Sequence, residues 1–336
     1  MKLVLLAADS LPRTIGELRR DPASAEAEAG AGAIAAALAE AIMPAAVMLE
    51  RLASIPVRPP GVKIARPDYG TPRSRKDVHF AIHDRFFGVF RACGDAPELF
   101  AHAVLVGYRD VLREALDCGT TLSEALWGDL RWGLEEAIRF AYGVPPRQPR
   151  PLPPPVGTGR RDPHRRWRAG HHAFFPLIQA VVVGLNCFQS AILDDDMPVA
   201  AGSLQFATAV MRASSSAMRF AADFLPAEYA AMVRIAMAPP YLPVGLSGVM
   251  AEDHVRLIRC FHELREILPG IPAELRVFRD SFIEAVDAAY AAHSGVCARF
   301  GGEHIVSLRM SQGSSGSAVG VLAQLRKSRL KALRSA

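Results

Sequence analysis

The sequence predicts an all-α protein. Apolar residues recur at helical spacings over most of the 336 residues, and period-two alternation is scarce. Proline and glycine gather at a few points instead of punctuating many short strands. Half the residues are apolar and 22% are charged, a balance that supports a packed core and argues against disorder. At a prior of ~150 residues per domain, the length suits one large domain or two modest ones.

The elements follow in order. Segments 24–52 and 96–142 carry helical periodicity. Between them, 56–75 holds five Pro and two Gly and is expected to be mostly loop. The clearest shift in composition is 144–168, with eight Pro and seven Arg. It reads as an extended, solvated linker, because proline-rich chain favours polyproline II and lacks amide donors. It would divide an N-terminal helical part, 1–143, from a larger part, 169–336. Residues 172–193 are almost wholly apolar and predict a central helix buried on most sides, ended by Asp194, Asp195, Asp196 and Pro198. A helix over 204–224 follows, and Pro226 suits the first turn of another that runs through Arg234 to Met237. Pro239, Pro240 and Pro243 impose a loop before a helix over 251–267; Pro269 and Pro272 separate it from a long helix over 273–300. A small-residue loop, 311–317, precedes a final basic helix, and no internal repeat is found.

Several function classes are set aside by composition. No apolar run reaches the ~18 residues of a membrane span; the nearest, 30–49, is broken by Glu40 and Pro44. The opening apolar stretch is shorter than the ~7–15 residues of a signal h-region, so neither secretion nor membrane insertion is expected. The net charge of +5 is localised: 147–168 carries +6 and 326–336 carries +5, which leaves the rest at −6. Without interleaved aromatics, these basic stretches do not make a nucleic-acid groove. Five scattered cysteines without a CxxC indicate neither zinc nor a disulfide framework, and point to a cytoplasmic protein with reduced thiols.

The chemistry lies on the long helix. Its inward stripe runs Phe278, Phe282, Val286, Ala289, His293, Cys297, at spacings of four and three. His293 and Cys297 are therefore stacked neighbours, ~6 Å apart. A neutral imidazole is a good axial ligand for haem iron, and a porphyrin vinyl group lies within a helical turn's reach of the iron. HxxxC thus permits a thioether to haem in the opposite sense to CxxCH. The same spacing also suits a satisfied core histidine beside a small buried cysteine.

A resemblance extends over roughly residues 170–333. HAFFPLIQAVVVGL (172–185), FLPAEYAAMVRIAM (224–237), GVMAEDHVRLIRCF (248–261), YAAHSGVCARF (290–300) and GSSGS (313–317) occur in the order of corresponding segments in the haem-dependent aromatic oxygenase superfamily, which includes indoleamine and tryptophan 2,3-dioxygenases. His254, His293 and Cys297 form HxₙHxxxC with 38 residues between the histidines. That pattern is similar to the branch of 3-methyl-L-tyrosine hydroxylases of saframycin-type antibiotic biosynthesis. GSSGS lacks the threonine of the dioxygenase loop, and neither HxxxC nor His254 is a feature of ordinary tryptophan dioxygenases.

The resemblance implies a tryptophan/indoleamine-dioxygenase-like helical haem fold in 169–336. It implies haem ligated by His293 and His254 and tethered by one thioether to Cys297. It implies hydrogen peroxide as oxidant and a tyrosine-derived amino acid as substrate, 3-methyl-L-tyrosine giving 3-hydroxy-5-methyl-L-tyrosine. The carboxylate-binding Arg of the family maps to Arg234, whose guanidinium fork suits a carboxylate. Tyr229 can line the same pocket, and Ser315 can close over bound substrate. His171 and His172 begin the distal helix and can supply an acid/base group for O–O cleavage, with His172 and His254 as the catalytic candidates. His262 and His304 have no supporting pattern. His79 and His83 are spaced i, i+4 but lack a third metal ligand. Cys93, Cys118, Cys187 and Cys260 read as ordinary buried thiols. An O₂-dependent tryptophan or indole dioxygenase, a non-catalytic bis-His haem sensor and a helical protein without haem are the alternatives. Neither a nucleic-acid nor a membrane partner is expected, and the oligomeric state is open.

Overall fold

A computed structural model describes residues 1–19, 31–59, 62, 64, 75–242, 251–301 and 316–334. The architecture is all-α apart from one small feature. Strand β1 (Leu3–Leu6) and strand β2 (Val89–Ala92) form a two-stranded parallel sheet, with Leu3 opposite Val89 and Leu6 opposite Ala92. The sequence reading missed it because all four residues of β1 are buried, so the run has no alternation to detect.

The N-terminal helices are shorter than their periodicity suggested. The stretch expected as one helix over 24–52 contains α1 (Ala31–Glu40) and α2 (Ala45–Ala53), parted by Pro44 in an extended conformation at the α2 N-terminus. Helix α3 is Arg75–Phe87. The expected helix over 96–142 is two: α4 (Ala96–Cys118) ends at Gly119, φ 68°, and α5 (Glu124–Ala141) starts where the Ser123 side chain accepts from the amide of Leu126.

Helix α6 (Pro163–Leu193) starts inside the segment read as linker. The Asp162 side chain accepts from the amide of Arg165, and Pro163 takes the first turn. Pro176 sits within α6 and has no N–H for the carbonyl of His172. Gly107 of α4 fits against that carbonyl, where a Cβ would collide. Helix α7 (Met197–Ala221) also begins early: Asp196 caps it and Pro198 lies in its first turn instead of acting as a breaker. Gly170 of α6 leaves no room for a side chain against Ala221 of α7, so the two long helices pack closely.

Residues 144–162 form no helix or strand, and they lie on the protein. The Trp132 indole donates to the Arg147 carbonyl (3.0 Å), the Leu152 amide to the Glu124 carbonyl (3.0 Å) and the Gly159 amide to the Asp117 carbonyl (2.9 Å). Nor do they separate two cores, because buried apolar residues from Leu3 to Leu333 form one cluster. Helix α6 is long and apolar enough to span a bilayer, with mean hydropathy 1.6, contrary to the expectation that no segment is. Its most apolar window is 78% buried among the protein's own elements, the mark of a core helix.

After α7, a short segment is α-helical at Pro226–Glu228, π-helical at Tyr229–Val233 and α-helical again at Arg234–Ala236. Helix α8 (Glu252–Ile267) and helix α9 (Arg276–Arg299) form a hairpin joined by two 3₁₀ turns, Leu268–Gly270 and Ala273–Leu275. Helix α10 (Ala318–Arg334) lies on α9, with Arg326 paired to Asp287 at 2.9 Å. Cys118, Cys187 and Cys260 are buried, whereas Cys93 is exposed, contrary to its reading as a buried thiol.

Candidate active site

The expected stripe of α9 is buried through Phe282, Val286 and Ala289, and reaches half-buried His293 and Cys297. Desolvation holds His293 at a pKa of about 4, so its imidazole is neutral, and pushes the Cys297 thiol up to about 11. The α8–α9 hairpin is registered by Phe261 against Phe282, ring centroids 6.2 Å apart and edge to face. Seven residues before Phe261 is His254, and eleven residues after Phe282 is His293. At ~100° per residue, seven and eleven residues each return to within ~20° of the starting face. His254 and His293 therefore share the faces that meet at the phenylalanines, ~10.5 Å and ~16.5 Å along their helices toward the open end of the hairpin.

An aromatic wall faces this end. His171 stacks on Phe87 (4.4 Å, 23°) and packs against Trp167 at 4.5 Å. Phe175 meets Phe87 at 5.1 Å, and His83 meets Phe87 at 4.9 Å. The wall continues from Trp167 to Tyr229 (5.9 Å), which stacks flat on Phe300 of the α9 C-terminus (4.2 Å, 4°). The His171 Nδ1 donates to the Trp167 carbonyl at 2.7 Å, which leaves Nε2 as the lone-pair nitrogen. Burial drives the His171 pKa down to about 3, and His83, His172 and His293 lie close enough to lower it further. The Trp167 Nε1–H is buried without a hydrogen-bond partner among the described residues.

Arg234 and Tyr229 come together here. The amide of Arg234 bonds the carbonyl of Tyr229, and the guanidinium hydrogen-bonds the phenol. Desolvation raises the phenol pKa while the adjacent cation opposes the rise.

His172 does not join them. It is fully buried, with Nδ1 2.8 Å from Asp110 Oδ2 and Nε2 2.7 Å from the Phe87 carbonyl. Both nitrogens are occupied, so its assignment as an acid/base group is corrected. Its neighbour His171, ~100° around the helix, faces the wall instead. Ser315 and His304 lie outside the described residues, and His262 is exposed. His83 is buried in the wall.

Sequence reasoning also missed Phe87, Trp167 and the polar frame behind His254. In that frame Asp253 accepts from Arg91 Nη1 and Gln179 Nε2, both at 2.8 Å. Trp167 had a signal, since it precedes His171 by one turn on the same face. Phe87 and Arg91 had none, because the contacts that tie them to α6 and α8 are remote in sequence.

The residues fit a haem. Half-buried His293 lies close to His171, the wall around His171 is aromatic, and the Trp167 N–H is buried without an acceptor among the described protein groups.

The family described as SfmD 3-methyl-L-tyrosine peroxygenase matches residues 4–285, a span that includes Arg234 and His254 and stops short of His293. A curated 3-methyl-L-tyrosine peroxygenase from Streptomyces lavendulae is 33% identical over 257 residues, 75% of this chain and 70% of that protein. The crystal structure of reduced SfmD, obtained by soaking with sodium hydrosulfite, has a TM-score of 0.70 at 26% identity, covering 88% of this chain and 97% of that one.

Proposed function

The chain belongs to the SfmD 3-methyl-L-tyrosine peroxygenase family, and on that basis we propose that it hydroxylates a tyrosine-derived amino acid with hydrogen peroxide in natural-product biosynthesis. The reaction is 3-methyl-L-tyrosine plus hydrogen peroxide giving 3-hydroxy-5-methyl-L-tyrosine plus water. This peroxygenase reading takes precedence over the O₂-dependent and non-catalytic alternatives. The observation that supports the site is His293 close to His171 at the aromatic wall, with helix periodicity putting His254 on the α8 face that carries Phe261.

Haem supplies the two-electron chemistry of peroxide activation when bound in this cleft. His293, held neutral by desolvation, would be one ligand to the haem iron. His254, in the first turn of α8, would be the second and more readily released ligand. Cys297, one turn beyond His293, would tether the haem through a thioether to a vinyl carbon. The His171 Nε2 accepts a proton from one peroxide oxygen and returns it to the other as the O–O bond breaks. Arg234 holds the substrate carboxylate bidentately while Tyr229 steadies its guanidinium, and this aims the aromatic ring.

The test is turnover of 3-methyl-L-tyrosine by purified protein with hydrogen peroxide, read as a product 16 Da heavier. With ¹⁸O-labelled peroxide the label enters the product. Label arriving from O₂ instead would overturn the peroxygenase reading.

A further inference from the structure

Arg91, at the end of β2, joins elements that lie far apart in the sequence. Its guanidinium is bidentate on Asp84 of α3, with Nε 2.7 Å from Oδ2 and Nη2 3.0 Å from Oδ1. Its Nη1 reaches Asp253 Oδ1 at 2.8 Å and the Leu6 carbonyl of β1 at 3.3 Å. Glu252 Oε2 lies 3.7 Å from Nε, and its other oxygen accepts from the Ala8 amide at 3.0 Å. Gln179 of α6 donates both to Asp253 Oδ1 (2.8 Å) and to the Leu6 carbonyl (2.9 Å). Asp253 is 1% exposed. One guanidinium thus faces three carboxyl groups, two of which are on consecutive residues in the first turn of α8. The next residue is His254.

We propose that Arg91 is a positioning residue for His254: its guanidinium locks the first turn of α8 onto β1, α3 and α6. It thereby sets how readily His254 leaves the iron and returns. The proposal rests on the reading of His254 as an iron ligand. A helix end normally opens more easily than its middle. Here the end is tied by a charge-assisted fork, so a ligand that must move is carried on a turn that must not. Without Arg91, three carboxylates would face one another with no counter-charge, and the turn would open.

The test uses the full-length, haem-loaded chain with Arg91→Met, Arg91→Lys and Asp253→Asn. Backbone hydrogen exchange over 251–258 and the ferric absorption spectrum are read together. Arg91→Met is expected to speed exchange there about 10-fold or more while α6 stays protected, and to convert low-spin haem to high-spin. Arg91→Lys keeps the charge without the fork and should give an intermediate spectrum. Asp253→Asn should shift both readouts in the same direction by less. The proposal is overturned if exchange and spin state are unchanged in the Met and Asn variants, or if exchange rises with no change of spin state. Should Arg91→Met lose protection everywhere, Asp253→Asn decides alone, and an unshifted spin state there overturns the proposal. His254→Ala separates the two levels. An unchanged spectrum in that variant rejects the ligand reading, and with it the role of Arg91 toward His254, while the exchange data still report whether the fork holds α8.

Discussion

The guanidinium of Arg234 hydrogen-bonds the hydroxyl of Tyr229, five residues back, across a π turn. In an α-helix such residues point ~140° apart and cannot meet. The wider turn brings them to one side, and π insertions recur at functional sites for this reason.

Arg234→Ala is therefore expected to raise KM for the amino acid strongly with little change in the haem spectrum. Loss of a charge-assisted pair of ~1.5–3 kcal/mol corresponds to about 10- to 150-fold. Tyr229→Phe should raise KM only a few-fold, since the guanidinium remains. Turnover of 3-methyltyramine, which lacks the carboxylate, as efficiently as the amino acid would remove this role from Arg234.

The adjacent histidines 171 and 172 should separate cleanly. His172→Ala strips partners from buried Asp110 and from the Phe87 carbonyl, and should cost about 3 kcal/mol of unfolding free energy in a denaturant titration. His171→Gln should unfold near the wild-type midpoint yet lose on the order of 10²–10⁴ in kcat. The reverse pattern would exchange their roles.

That pair shows what was legible in the sequence. The stripe from Phe278 to Cys297 was readable because every spacing in it is local and helical. Which of two adjacent histidines faces the wall depends on how α6 packs on α3 and α4, and no local pattern records that rotation. The same holds for the packing of Phe87 on His171 and of Arg91 on Asp253, which join different elements, and for β1, whose burial on both faces erases alternation. Pro163 and Pro198 suit a linker and a breaker by composition alone, whereas Asp162 and Asp196 cap the helices that these prolines begin.

Cys297 should be joined to haem. Denaturing mass spectrometry is expected to show protein plus one haem, with a pyridine haemochrome band between those of free haem b and two-thioether haem c. Cys297→Ser should still bind haem but release it to acid–acetone. Intact haem extracted from wild-type protein by that treatment would exclude the thioether.

Acid should destabilise the apoprotein in a defined window. His171 and His102 are held neutral by burial at about 3 and about 4, below the ~6.5 of an unfolded histidine. Between those values the unfolded chain binds more protons, so stability is full above ~pH 6.5 and falls as the pH drops toward 4. His102→Gln, at a site where Nε2 lies 2.8 Å from the Pro56 carbonyl, should flatten part of that fall. A thermal midpoint that stays level down to pH 4 would contradict the assignment.

The ferric absorption spectrum of the purified, haem-supplied protein and of its two ligand variants tests the haem site most directly. Wild-type protein should be six-coordinate and low-spin. His254→Ala should retain haem and turn high-spin, and His293→Ala should lose the low-spin spectrum or the haem itself. A colourless wild-type protein, or an unchanged six-coordinate spectrum in both variants, would contradict the placement of haem between His254 and His293.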